Sequence, residues 1–172
     1  MRGSTRFQEP SGFTLAELLV VLAIISILAL CIFRATQGAM ARADVVRCMG
    51  NLRTLHIALS TAVTDLNQWP QCPYELGTPG YDQWWLNELT PYKITPAIWS
   101  CPTVLREQRT ELKKDELKIH YIPTRFDANP FTPRKWPRMP WLIEIADAHG
   151  EGNLIVFPDG VIIGSNRYLS TK

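Results

Sequence analysis

The sequence is short of several things that would announce a chemistry. It has no large excess of charge of either sign: 18 Lys and Arg stand against 16 Asp and Glu, a formal net charge of +2. That balance gives no case for direct nucleic-acid binding or for a polybasic membrane patch. It has three histidines and four cysteines with no Cys-x-x-Cys pair, so it carries no zinc pattern. It has no Gly-x-Ser-x-Gly elbow. Asp147 or Asp159 could orient His149 as a base, but no nucleophile is paired with it, and we expect no catalysis. Proline is absent from residues 34–66, although the chain has 13 of them. Nothing in that run breaks a helix.

What is present is dominated by one stretch. Residues 13–33, FTLAELLVVLAIISILALCIF, carry no charge except Glu17. A helix of 21 residues is about 30 Å long, the thickness of a bilayer's hydrocarbon core. The run is too long for the apolar core of an ordinary cleaved signal peptide and lacks a clean small-x-small end, so it reads as a membrane anchor. The head before it, residues 1–12, carries Arg2, Arg6 and Glu9. Basic residues there would hold the N-terminus in the cytoplasm and put the remainder on the far side. Thr14 or Ser11 could cap the helix.

The helix is expected to continue. Val45, Val46, Met49, Leu52, Leu55, Leu59, Val63 and Leu66 recur at intervals of mostly three and four, the stripe of an amphipathic helix over 34–66. Gly38 and Gly50 are soft spots, and Asn67 to Pro70 end it. Residues 67–172 form the globular region. Here 81–89 is expected as a short helix docked by Trp84 and Trp85, and 103–118 as a solvated helix or turn. IHYIPTR, from 119, could be a short strand. Residues 141–147, 153–157 and 161–165 read as strands, the last two joined by the turn Pro158-Asp159-Gly160. The economical fold is α+β: a long helix whose back half packs on a small antiparallel sheet.

Of the four cysteines, Cys31 lies in the span as a small apolar side chain. Cys72–Cys101 is the expected disulfide if the domain lies outside the cytoplasm. His149, Asp147, Glu151, Asn153 and Asp159 could bind one Ca²⁺ through oxygen ligands, or serve only as satisfied turn and hairpin residues. His56 and His120 read as surface or partly buried residues.

Glu17 needs an explanation. A lone carboxylate in hydrocarbon costs several kcal/mol, charged or protonated. Were the chain cut after Gly12, the new α-amino group of Phe13 would lie four residues away on one helix face. The pair could form within one chain. It could also form between stacked chains, where Glu17 would set the register. A third option is that Glu17 snorkels to the interface.

Residues Gly12-Phe13-Thr14-Leu15-Ala16-Glu17-Leu18-Leu19-Val20-Val21-Leu22-Ala23-Ile24-Ile25 resemble the signal of type IV prepilins and type II secretion pseudopilins. The resemblance implies a pilin-like fold, cleavage after Gly12 and methylation of Phe13 by prepilin peptidase, and assembly through Glu17. It implies other pilin or pseudopilin subunits and an inner-membrane assembly platform as partners, in the bacterial inner membrane and then in a fibre. The remainder is similar to pseudopilin-like proteins with a C-terminal signature of His, nine residues, then Asp-Gly, matched by His149 and Asp159-Gly160. Such proteins often have Cys-x-x-Asn-Leu and Cys-Pro where this chain has Cys48, Asn51-Leu52 and Cys101-Pro102. Two departures stand out: Arg34 replaces a frequent proline, and 147–159 is a poor copy of the major pseudopilin's calcium loop. The expectation is a structural subunit of a pseudopilus or pilus-like fibre; the alternative is a membrane-tethered binding module that enters no fibre.

Overall fold

A computed structural model describes residues 13–107, 119–145, 147, 149–150 and 152–170. The head with Gly12, the charged stretch 108–118 and Glu151 lie outside the described residues. The chain divides into two compact units, Met1–Met40 and Ala41–Lys172, and the division falls within one helix, α1, Leu15–Leu66.

In the first unit α1 is apolar on every face. Leu18, Leu22, Ile25, Leu28 and Ile32 are exposed, and so are Leu19, Val20, Ile24 and Ile27 on the other sides. A helix that is hydrophobic all round has no solvent face to offer water. Among the described residues it is the one helix long and apolar enough to cross a membrane. Deep in the apolar run, Ser26 Oγ donates to Leu22 O at 2.8 Å and so leaves no bare donor. Backbone helix continues through Arg34, Gly38 and Gly50.

In the second unit the helix has one buried face: Cys48, Leu52, Leu55, Ala58, Leu59, Ala62 and Val63. The stripe differs from the expected one at its edges. Val46 and Leu66 are exposed, and the small side chains Ala58 and Ala62 fill the face instead. Small residues there let other elements approach the helix closely. Asn67, at φ 51°, takes the left-handed conformation just past Leu66 and ends the helix.

The helix packs against a four-stranded antiparallel sheet: β1 (Tyr121–Pro123), β2 (Leu142–Glu144), β3 (Leu154–Val156) and β4 (Ile162–Gly164), in that order. The fold is thus α+β and pilin-like in architecture. IHYIPTR supplies β1 and makes the sheet one strand wider than the three C-terminal runs alone. Each strand is three residues long, shorter than its apolar run. Register is Tyr121 opposite Glu144, Leu142 opposite Val156 and Ile155 opposite Ile163.

Between helix and sheet lies an aromatic core. Trp69 meets Phe126 and Trp141 edge-on, with ring centroids 4.8 and 5.3 Å apart. Trp141 Nε1 donates to Pro133 O at 2.8 Å, so this fully buried indole is also satisfied as a donor. Helix α2 (Pro79–Glu88) contributes Trp85, which is buried, and Trp84, which is partly buried against the same core. Both tryptophans therefore pack as the apolar pattern suggested. Helix α3 (Pro102–Glu107) covers the described part of 103–118, the stretch expected as a solvated helix or turn; α4 (Thr132–Lys135) and α5 (Ser165–Leu169) are short.

Candidate functional sites

The first site is the start of α1. Thr14 and Glu17 form a reciprocal capping box. The N–H and Oγ1 of Thr14 donate to Glu17 Oε2 at 2.9 and 2.8 Å, and Glu17 N–H donates back to Thr14 Oγ1 at 3.2 Å. The Thr-x-x-Glu spacing produces this because residues N-cap and N3 face each other across the first turn. One Glu17 oxygen is therefore occupied within the chain, by groups at the helix end rather than deep in the apolar run. Phe13 stands immediately before the box and is 82% exposed, open to other molecules.

Residues 10–30 match the prokaryotic N-terminal methylation motif. The match covers Phe13, the Thr14–Glu17 box and most of the apolar run. No curated protein matches the chain, and no solved structure does. The chain thus combines an N-terminal methylation motif with a single long apolar helix.

The second site lies wholly in the globular unit. Cys48, on the buried face of α1, is disulfide-bonded to Cys101, with Cα atoms 5.3 Å apart. This corrects the expected Cys72–Cys101 pairing. Cys72 is a free thiol whose Sγ lies 3.7 Å from Tyr74 O, and partial burial pushes its pKa up. Helical spacing is the reason: Cys48 stands one turn before Leu52, on the stripe that faces the core. Asn51 Nδ2 donates to Ser100 O at 3.1 Å and holds the Cys101 segment against the helix.

His149, Glu144 and His120 stand beside the disulfide. His149 Nε2 lies 3.5 Å from Cys101 Sγ and 3.3 Å from Glu144 Oε1. The His149 and Glu144 side chains are only 2% and 0% exposed. The other carboxylate oxygen, Glu144 Oε2, accepts Leu154 N–H at 3.2 Å, and Asn153 Nδ2 donates to the Glu144 carbonyl at 2.7 Å. Burial raises the Glu144 pKa above the ordinary carboxylate range, and the His149 ring opposes that rise. His120, expected at the surface or partly buried, is 1% exposed; its Nδ1 accepts the Cys101 N–H at 3.0 Å.

The structure does not bring His149, Asp159 and Gly160 into one turn. His149 precedes β3, whereas Asp159 and Gly160 follow it, at the opposite strand end. Asp159 Oδ1 accepts Val161 N–H at 3.0 Å. Gly160, at φ 80°, comes so near His56 that a Cβ there would lie 3.4 Å from Cε1. The same separation keeps Asp159 away from the other residues that could have bound one Ca²⁺, and Glu151 of that set lies outside the described residues. Asp147 Oδ1 instead closes a turn, accepting the N–H groups of Gly150 and Gly152 at 3.1 and 3.0 Å. Asn153 Nδ2 is held by the Glu144 carbonyl. These are the satisfied turn residues of the alternative reading.

Glu144 was missed by motif and spacing. A signal was there: it is a carboxylate in the apolar run WLIEIAD, on the strand face of Leu142, as anomalous as Glu17 in its helix. Two residues apart on a strand share a face, so burial of Leu142 implies burial of Glu144.

Proposed function

We propose that the chain is a structural subunit, a pseudopilin or minor pilin, of a type II secretion pseudopilus or type IV pilus-like fibre. Prepilin peptidase cuts it between Gly12 and Phe13 and methylates Phe13. The observation that carries the reading is the methylation motif over residues 10–30, running into an apolar helix with no covered face. Before assembly that helix spans the bacterial inner membrane once, with residues 67–172 outside the cytoplasm. The Cys48–Cys101 disulfide supports an oxidising compartment for that region. In the fibre, subunits recruited by an assembly platform bury the same apolar surface against one another. The subunit performs no catalysis.

Glu17 has a role in both states. In the waiting monomer the Thr14 box satisfies one carboxylate oxygen. In the fibre the charged, methylated Phe13 amine of a neighbouring subunit pairs with the carboxylate and sets the register. Mass spectrometry of the chain from cells with active peptidase tests the processing: methylated Phe13 should be the first residue, and an intact Met1 would overturn the reading. Glu17→Ala tests assembly. Monomer should remain in the membrane while incorporation into fibres is lost. Unchanged incorporation would refute the Glu17 pairing. A processed chain that enters no fibre even as wild type would favour a membrane-tethered binding module.

A further inference from the structure

We propose that the reduced chain binds one Zn²⁺-class divalent cation through Cys48 Sγ, Cys101 Sγ, Glu144 Oε1 and His149 Nε2, so that disulfide and metal are mutually exclusive occupants of one buried site. These four residues each offer a ligand atom, and the atoms all lie within 4.8 Å of one another. Tetrahedral bonds of about 2.0–2.3 Å place neighbouring ligand atoms about 3.3–3.8 Å apart. Two edges of such a tetrahedron already exist, at 3.5 Å from Cys101 Sγ to His149 Nε2 and 3.3 Å from His149 Nε2 to Glu144 Oε1.

The donor set selects the metal. Two thiolates and an imidazole suit borderline-soft Zn²⁺, whereas Ca²⁺ and Mg²⁺ require oxygen ligands. Outer contacts hold the ligands in place. Leu154 N–H takes Glu144 Oε2 and leaves Oε1 directed at His149. Cys101 N–H is fixed on His120 Nδ1, and Asn51 clamps the preceding residue to α1. Such orientation by a second layer of hydrogen bonds is what a metal site needs. A buried carboxylate and imidazole beside a disulfide add little that apolar side chains would not, but they complete a four-ligand set once the sulfurs separate.

A dithiol reductant transfers two electrons and two protons to the Cys48–Cys101 bond, giving two thiols and the reductant's own disulfide. Binding of Zn²⁺ then displaces the two thiol protons to solvent. The proposal is independent of the fibre assignment and is read on the isolated chain.

The test uses the full chain in detergent, reduced with a water-soluble phosphine that is then removed. Zinc is added, unbound metal is removed by gel filtration, and bound zinc is measured. The reduced chain should retain one equivalent and the oxidised chain none. Co²⁺ should give a thiolate-to-metal charge-transfer band and the intense visible bands of tetrahedral coordination. His149→Gln and Glu144→Gln should each change those bands. Each should weaken binding by more than the roughly 10–100-fold that loss of an outer-shell partner costs. Cys72→Ser should change nothing. A reduced wild-type chain that retains no zinc overturns the proposal, whether or not its tryptophan circular dichroism persists. So does equal zinc retention by the Cys48→Ser/Cys101→Ser chain, or a His149→Gln chain with the wild-type cobalt spectrum.

Discussion

Cys48 on the long helix is bonded to Cys101 at the start of α3, across a sequence separation of 53 residues. The bond crosses the interface that the apolar stripe of the helix also makes, so covalent and hydrophobic contacts hold the same two segments together. Leu52 and Leu55 lie one and two turns beyond Cys48 on that stripe.

Breaking this bond should be expensive, because it closes a long loop in the unfolded chain. The loop-entropy estimate for a loop of this size is about 4 kcal/mol, with measured losses for native disulfides of about 2–5 kcal/mol. Cys48→Ser should lower denaturant stability of the globular unit by that order, whereas Cys72→Ser should leave it within about 0.5 kcal/mol. Peptide mapping without reduction should recover residues 48 and 101 in one linked fragment. A fragment linking 72 to 101 would contradict the structure.

The parts that were legible from sequence are those encoded by local period. A proline-free run with apolar residues three and four apart has one way to bury its stripe, and α1 follows it to Leu66. The runs before and after Pro158-Asp159-Gly160 could hardly be anything but paired strands. Pairings between distant side chains were not legible. Cys72 was expected as the partner of Cys101, and nothing in the local sequence shows which segment lies against Cys48 on the helix. His149 and Asp159 look like neighbours because only nine residues separate them, yet β3 fits into that interval and carries them apart. Glu144 was hidden because an isolated charge inside a strand run has no motif around it.

Acid should destabilise the globular unit through His56, whose half-buried ring is costly to charge. Its Nε2 lies 3.1 Å from Pro158 O, so it must carry the proton that a carbonyl can accept. Desolvation lowers its pKa from the usual 6.5; the Pro158 contact and Asp159 oppose that shift, and Arg134 adds to it. The unfolded chain then takes the proton first as pH falls below about 6.5. Stability from this group is complete above that pH, and is lost as pH falls toward the lowered folded value. Glu144, whose pKa is raised, works in the opposite sense, so the comparison must be with a variant. His56→Gln keeps an N–H donor and removes the titration. Its denaturation midpoint should fall less steeply than wild type between pH 7 and 5, roughly the span in which an ordinary histidine titrates. Parallel pH profiles would remove His56 from the account.

The aromatic centre predicts a graded mutational series. Trp141 is fully buried, touches Trp69, and donates to Pro133 O. Trp141→Ala leaves a cavity in a close-packed core and should cost about 3–5 kcal/mol. Trp141→Phe keeps a ring against Trp69 but strands the Pro133 carbonyl, so it should lie between the two. The order wild type, Phe, Ala should appear in urea midpoints of the globular unit. Equal midpoints for Phe and wild type would mean that the Pro133 bond contributes nothing.

The box at the start of α1 makes the last prediction, and it separates the local role of Thr14 from the proposed assembly role of Glu17. Thr14 Oγ1 both donates to Glu17 Oε2 and accepts the Glu17 N–H. Thr14→Val keeps the shape and removes both bonds. Losing a capping side chain costs about 0.5–2 kcal/mol, which corresponds to opening of the first turn that is roughly 2- to 30-fold more frequent. Amide exchange should therefore accelerate by that factor at Glu17 and Leu18, whose N–H groups are held by Thr14 Oγ1 and Thr14 O, and stay unchanged beyond the second turn. Thr14→Ser, which keeps the oxygen, should exchange like wild type. Glu17→Gln keeps an oxygen for the box, so its first turn should hold, yet it has no charge to offer an amine from another subunit. If Glu17→Gln frays as much as Thr14→Val, the charge matters chiefly to the cap. If it holds the turn and still fails to enter fibres, the carboxylate is needed between chains.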